Sequence, residues 1–270
     1  MSTRERGGRA RRLRPIPIAA AAWLVAVGVL AVVAPRLAPD GPAAAEPGRA
    51  LLPPGASSPL GTDFLGREVW VRLAWGARLT LAAGTSALAL AVVVGLPVGL
   101  AAGGRGGWVD SVLMRLVDGL LAFPGLLLAM AVMAVLGAGI DSVAIAVGLT
   151  AAPAYARVAR TVAREVRVQP YIDAARAIGC SPWRIAARHI LPNAGPALVS
   201  FAGSQLGSIL LMMGALNFLG LGAAPGSPEW GMMLADGRGY LRQAPWTSVF
   251  PGLALTLTVL AANLLGDAWQ

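Results

Sequence analysis

An all-helical membrane protein with six transmembrane helices is the fold class this sequence predicts, and three observations predict it. Of its 270 residues, 56% are hydrophobic and only 13% are charged, whereas a soluble domain is nearer a quarter charged. The charged residues bound six apolar stretches close to the ~20 residues that a helix needs to cross ~30 Å of hydrocarbon. All 22 basic residues are arginine, and they gather on one side of those stretches. A single cysteine excludes an internal disulfide framework and any Cys-rich metal site. The net charge of +9 needs no nucleic-acid partner, because the apolar runs leave little room for a soluble basic face.

The crossings follow in order. The first runs from Ile16 to Ala34, the second lies between Arg78 and Arg105, and the third follows Asp118 and ends before Asp141. The fourth, between Asp141 and Arg157, has 15 residues and reaches only about 22 Å, so it must borrow length from its arginine flank. The fifth occupies the uncharged stretch after His189, and the sixth lies between Arg242 and Asp267.

Six crossings put both termini on the same side. The set of segments with the termini, the loop near Arg105 and the stretch from Arg157 to Pro192 holds 15 arginines against six carboxylates, so it carries the whole +9. The opposite set sums to zero, and arginine-rich loops stay in the cytoplasm. Both termini are therefore expected in the cytoplasm. Three parts result: an Arg-rich cytoplasmic N-terminus over 1–15, a first helix with outer linker and interfacial helix over 16–75, and a five-helix core over 76–270. The N-terminal cluster could also open a signal peptide, a weaker reading given five further crossings and no clean cleavage site.

Outside the membrane, Pro35 to Pro59 is rich in proline, alanine and glycine and reads as an irregular linker. Thr62 or Asp63 is expected to cap a short interfacial helix carrying Trp70 and Trp75. Gly95, Gly99 and Gly103 share one face of the second crossing, and Gly203 and Gly207 repeat the device in the fifth. Small residues at this spacing let helices approach closely, and sliding between them is the bolder reading. Ser86, Thr150, Ser204, Gln205, Ser208, Asn217, Thr256 and Asn263 either line a wet path or bond between helices. Arg115 and Asp118 are spaced for an ion pair. The Met212-Met213 and Met232-Met233 pairs read as packing rather than soft-metal ligands. The outer segment from Leu221 to Trp246 holds three aromatics suited to interfacial anchoring.

The cytoplasmic stretch from 157 to 192 is the most informative. Arg157, Arg160, Arg164 and Arg167 advance by three or four and would stack on one face of an extended fourth helix. Tyr171 to Gly179 reads as a short helix stopped by glycine, and Ser181-Pro182 as the N-cap and first turn of a second helix through His189. Pro192 is expected to end that second helix. The two helices form a compact knob.

Asp173-Ala174-Ala175, Gly179 and, nine residues on, His189-x-Leu191-Pro192 resemble the Glu-Ala-Ala loop of ABC-importer permeases, with aspartate for the usual glutamate and histidine for the usual isoleucine. Leu60 to Glu68, Gly106 to Asp110, Leu121 to Gly125, Asn217 to Gly222 and Asn263 to Asp267 extend the resemblance over about residues 10 to 267. It is strongest to the second permease of dipeptide, oligopeptide and nickel importers. The resemblance implies a type I importer permease fold in the bacterial inner membrane. It also implies a second homologous permease, two cytoplasmic ATPase subunits and an extracytoplasmic substrate-binding protein. Asp173, Ala174, Ala175, Arg176, Gly179, His189, Leu191 and Pro192 would then form the ATPase-coupling loop, with no catalytic, cofactor or metal site in the chain. Consistently, no phosphate-binding Gly-x-x-x-x-Gly-Lys-Ser/Thr loop is present, and without lysine none could be. Peptides are the expected cargo, with nickel or another small solute as the alternative. An ion-coupled secondary transporter would instead need ionisable groups at mid-membrane, and a membrane hydrolase a nucleophile and base pair.

Overall fold

The computed structural model describes residues 15–268, so the arginines expected in the cytoplasmic N-terminus lie outside the described residues. The chain runs through α1 (Pro15–Leu37), α2 (Val69–Arg105), α3 (Gly107–Leu121), α4 (Gly125–Leu136), α5 (Ile140–Arg167), α6 (Pro170–Ala177), α7 (Pro182–Ile185), α8 (Leu191–Phe218), α9 (Trp230–Gly237) and α10 (Trp246–Ala268). Five stretches are long and apolar enough to cross a membrane: α1, α2, α5, the continuous run from α7 through α8, and α10.

The third crossing differs from expectation. It is broken into α3 and α4, which meet at 92°. Pro124 explains the break, since a proline pushes the residue before it out of helical backbone. With 12 residues, α4 spans about 18 Å and cannot cross by itself. The fourth crossing gains its missing length as expected, because α5 runs 28 residues without interruption from Ile140 to Arg167.

On the outer side, α2 begins at Val69, well before Arg78, and takes Trp70 and Trp75 into its first turns. The expected interfacial helix capped by Thr62 or Asp63 does not form, and the boundary drawn at 75 falls inside a continuous helix. Asp63 is instead a buried anion. It accepts from Arg67 Nε at 2.6 Å and Arg72 Nη1 at 2.7 Å, and from the backbone N–H groups of Leu65 and Arg67. Two guanidinium groups outcompete a helix N-terminus for this carboxylate. The linker holds one 3-10 turn at Pro47–Arg49 but is tied down: Arg49 donates to Ser58 at 2.7 Å and Glu68 at 3.0 Å. Trp230 is buried, with its indole N–H on the Leu73 carbonyl at 3.0 Å, so it anchors α9 to α2 rather than facing the interface.

Small-residue seams hold the membrane helices together, as expected. A Cβ on Gly95, Gly99 or Gly103 would collide with the backbone carbonyls of Ala152, Ala156 and Arg160 on α5. On α8, Gly203 abuts Gly266 and Gly207 abuts Asn263 of α10. Such contact gains dispersion from backbone atoms that larger residues would hold apart. Ser86 and Thr150 bond to carbonyls of their own helices, while Asn217 accepts from the Ala223 N–H at 2.9 Å.

Candidate functional site

The knob between α5 and α8 has a core of its own. Ala163, Val166, Ile172, Ala175, Ile185 and Ile190 pack together, with Leu100 of α2 and Cys180 against them. An apolar core seated on α2 and α5 fixes the knob to the membrane helices without a flexible linker.

Its turn follows from Gly179. The Cys180 N–H reaches the Ala175 carbonyl at 3.0 Å and the Gly179 N–H reaches Arg176 at 2.9 Å, the paired bonds of a Schellman motif. That motif needs a left-handed residue, and Gly179 has φ of +82°. Nothing lies within 4 Å of where its Cβ would sit, so a larger residue here acts through backbone strain and not through collision. Ser181 then caps α7, its hydroxyl accepting from the Arg184 N–H at 3.3 Å.

Pro192 does not end the second helix. The chain passes from α7 through a π turn at Ala186–Ile190 into α8, with the Leu191 N–H on the Ala186 carbonyl. The wider turn makes room for a residue that lacks an N–H and whose ring would strike the preceding turn. One rod thus runs 37 residues from Pro182 to Phe218.

The coupling residues read from sequence divide in two. Asp173, Ala174, Arg176, Gly179, Leu191 and Pro192 are exposed, while Ala175 is buried inside the knob, so only one of the two alanines is open to a partner. Asp173 and Arg176 satisfy each other at 2.8 Å on the surface. His189 is half-buried beside Tyr171, ring centroids 6.3 Å apart, and its carbonyl accepts from the Asn193 side chain at 2.7 Å. Sequence reasoning missed Ile178 and Trp183, which stand 81% and 80% exposed on the knob. Large apolar residues this bare outside the crossings form a candidate contact face. The signal available was their position on either side of the glycine turn.

The arginine stripe of α5 faces α3. Arg160 grips Asp110 through two bonds of 2.5 and 2.7 Å, and Arg157 meets Asp118 at 2.6 Å. Asp118 therefore pairs across helices with Arg157, not with Arg115 as its spacing predicts, because the fork of Arg157 approaches it from the neighbouring helix.

A bundle of apolar crossings sealed by small-residue seams, with a rigid knob between two of its rods, defines a multi-pass helical membrane protein. Residues 95–270 match the family model described as the binding-protein-dependent transport system inner membrane component, and the chain belongs to that family. It is 43% identical over 214 residues to the glutathione transport system permease protein GsiD of Pectobacterium atrosepticum, covering 79% of this chain and 71% of that one. The dipeptide transport system permease protein DppC of Alkalihalophilus pseudofirmus is 39% identical over 239 residues, covering 88% and 79%. Two inward-facing crystal forms of the MetNI methionine ABC transporter superpose with a TM-score of 0.55 at 20% and 23% identity, over 74% of this chain. That likeness concerns the fold. The protein is an inner-membrane, multi-pass permease of an ABC importer, and a permease of this class works with an ATPase and a binding protein.

Proposed function

We propose that this chain forms half of the pathway by which di- or oligopeptides enter the cell, paired with a second homologous permease, two ATPase subunits and one extracytoplasmic binding protein. The chain itself hydrolyses no ATP. Residues 157–192 receive the stroke of the ATPase pair, with Asp173, Ala174, Arg176, Gly179, Leu191 and Pro192 at the contact and Ala175 and His189 holding its shape. Residues from the start of α2 at Val69 to 270 form the moving core, and the segment over 16–68 supports it from the outer side.

The observation that carries this reading is mechanical. The knob joins two uninterrupted rods, α5 of 28 residues and the α7 to α8 rod of 37 residues, so a push on it displaces both across the whole membrane. A packed core transmits such displacement because interiors are dense and resist compression. Peptide cargo is supported by the relatives named for dipeptide and glutathione transport.

The test is uptake into proteoliposomes holding both permeases and both ATPase subunits, with the binding protein outside and ATP inside. Labelled dipeptide should accumulate only when all are present. Accumulation driven by an ion gradient with the ATPases omitted would contradict the proposal, and uptake of nickel or another solute in place of peptide would correct its cargo.

A further inference from the structure

The outer side holds a buried acid that neither the knob nor the seams require. Glu229 is fully buried at the N-terminus of α9, outside the crossings. Its carboxylate accepts from the Thr80 hydroxyl of α2 at 3.1 Å and from the Met232 N–H at 2.9 Å, while Thr80 in turn accepts from the Trp230 N–H at 3.3 Å. Burial pushes the carboxyl up, against the opposing pull of the Met232 and Gly231 amides, the Thr80 hydroxyl and the Asn217 side chain of α8. An acid kept in such a place at a desolvation cost serves a position that a smaller apolar residue would not hold.

The surroundings show what is held. At Gly76 of α2 a Cβ would strike the Pro228 carbonyl and the Trp230 ring, and at Gly231 it would strike the backbone of Gly214 in α8. The start of α9 is therefore wedged into the seam between α2 and α8 at backbone contact. Arg72 pins both ends of the helix, reaching Asp236 in its last turn at 3.2 Å and the Ser227 carbonyl just before its start at 2.9 Å. The wedge is thus bonded to α2 at both ends and lies against the backbone of α8 at its start, where the Asn217 side chain of α8 also supports the Glu229 carboxylate.

We propose that Glu229 is a positioning residue that seats α9 as the outer seal of the pathway, tying the wedge to α2 and α8 so that the outer end of the seam between them stays shut until the permease opens outward. The idea rests on the import reading for its purpose, while its geometry is testable without transport.

The experiment places one cysteine at the buried wedge, Met233→Cys, in a Cys180→Ser background of the assembled importer in proteoliposomes. A membrane-impermeant maleimide is applied from the outer side. Glu229→Gln, which keeps an acceptor for Met232 and a partner for Thr80, should leave the cysteine protected and uptake intact. Glu229→Ala should speed labelling about tenfold, the equilibrium effect of one lost hydrogen bond to a buried group, and should raise ATP hydrolysis per molecule transported. Thr80→Val, which removes only the hydroxyl, should act in the same direction and decides the matter if Glu229→Ala does not assemble. Wild-type labelling and coupling in Thr80→Val, or in an assembled Glu229→Ala, would overturn the proposal. So would exposure of the cysteine in Glu229→Gln. Absence of uptake in every variant including the parent, with these labelling differences preserved, would count against the import reading and leave the seal standing.

Discussion

The two ends of this permease are built on opposite principles. The cytoplasmic knob hides a small apolar core and leaves its charges and two large apolar residues, Ile178 and Trp183, in the open. The outer end, around the wedge, buries charges: Asp63, Arg67, Arg72 and Glu229 are all inside, and Trp230 is covered. An exposed pair such as Asp173 and Arg176 is worth about 1 kcal/mol or less. A buried group costs far more when it loses its partner. The knob is thus shaped to be touched and released, and the wedge to keep one arrangement.

The largest effect should come from breaking the wedge. Arg72→Ala leaves Asp236 without its partner and removes one of the two guanidinium groups on Asp63, and should cost about 3–5 kcal/mol. The expected outcome is loss of assembled complex on size-exclusion chromatography. Gly99→Leu should come next. Its side chain would strike the Ala156 carbonyl and the Ala159 methyl, and overpacking costs about 1–3 kcal/mol, read as a lower melting temperature in detergent with uptake reduced in parallel.

The knob should answer differently. Trp183→Ala, alone or with Ile178→Ala, should shift stability by less than about 0.5 kcal/mol, as exposed positions do, while uptake falls at least about tenfold. Equal losses of stability and uptake would erase the contrast between the two ends. Gly179→Ala should cost about 1–2 kcal/mol in left-handed strain, confined to the turn, and should uncouple ATP hydrolysis from uptake.

The smallest effect concerns pH. The Glu229 carboxyl is raised by burial, so folding favours its protonated form, and this contribution is present below the ordinary carboxylate range and is lost as pH rises through the raised value. At neutral pH, Glu229→Gln should therefore melt slightly above wild type, and the gap should close as pH falls.

Much of this was legible in the sequence, for identifiable reasons. The crossings were, because a bilayer demands long apolar runs, and α5 gained its length where its arginine flank supplied it. The glycine seams and the Gly179 turn were legible because both depend on local backbone geometry. The break at Pro124 was hidden inside an unbroken apolar run, where hydropathy carries no direction. Pro192 misled because a π turn relieves the clash that usually stops a helix. Asp63 and Trp230 misled most: Arg72, which holds Asp63, is itself fixed by Ser227 and Asp236 from a distant segment, and Trp230 donates to Leu73 across the chain, and no local spacing reports such tertiary contacts. For the same reason Asp118 was matched to its neighbour Arg115 while its true partner, Arg157, lay on another helix.

The central claim, that the knob is where a separate ATPase pushes on α5 and α8, is tested most directly by crosslinking in the working importer. With Ile178→Cys in a Cys180→Ser background, carrying a photoreactive maleimide, illumination should capture the ATPase subunit and yield should change with bound nucleotide. An actively importing complex in which the probe at 178 never captures the ATPase would contradict it.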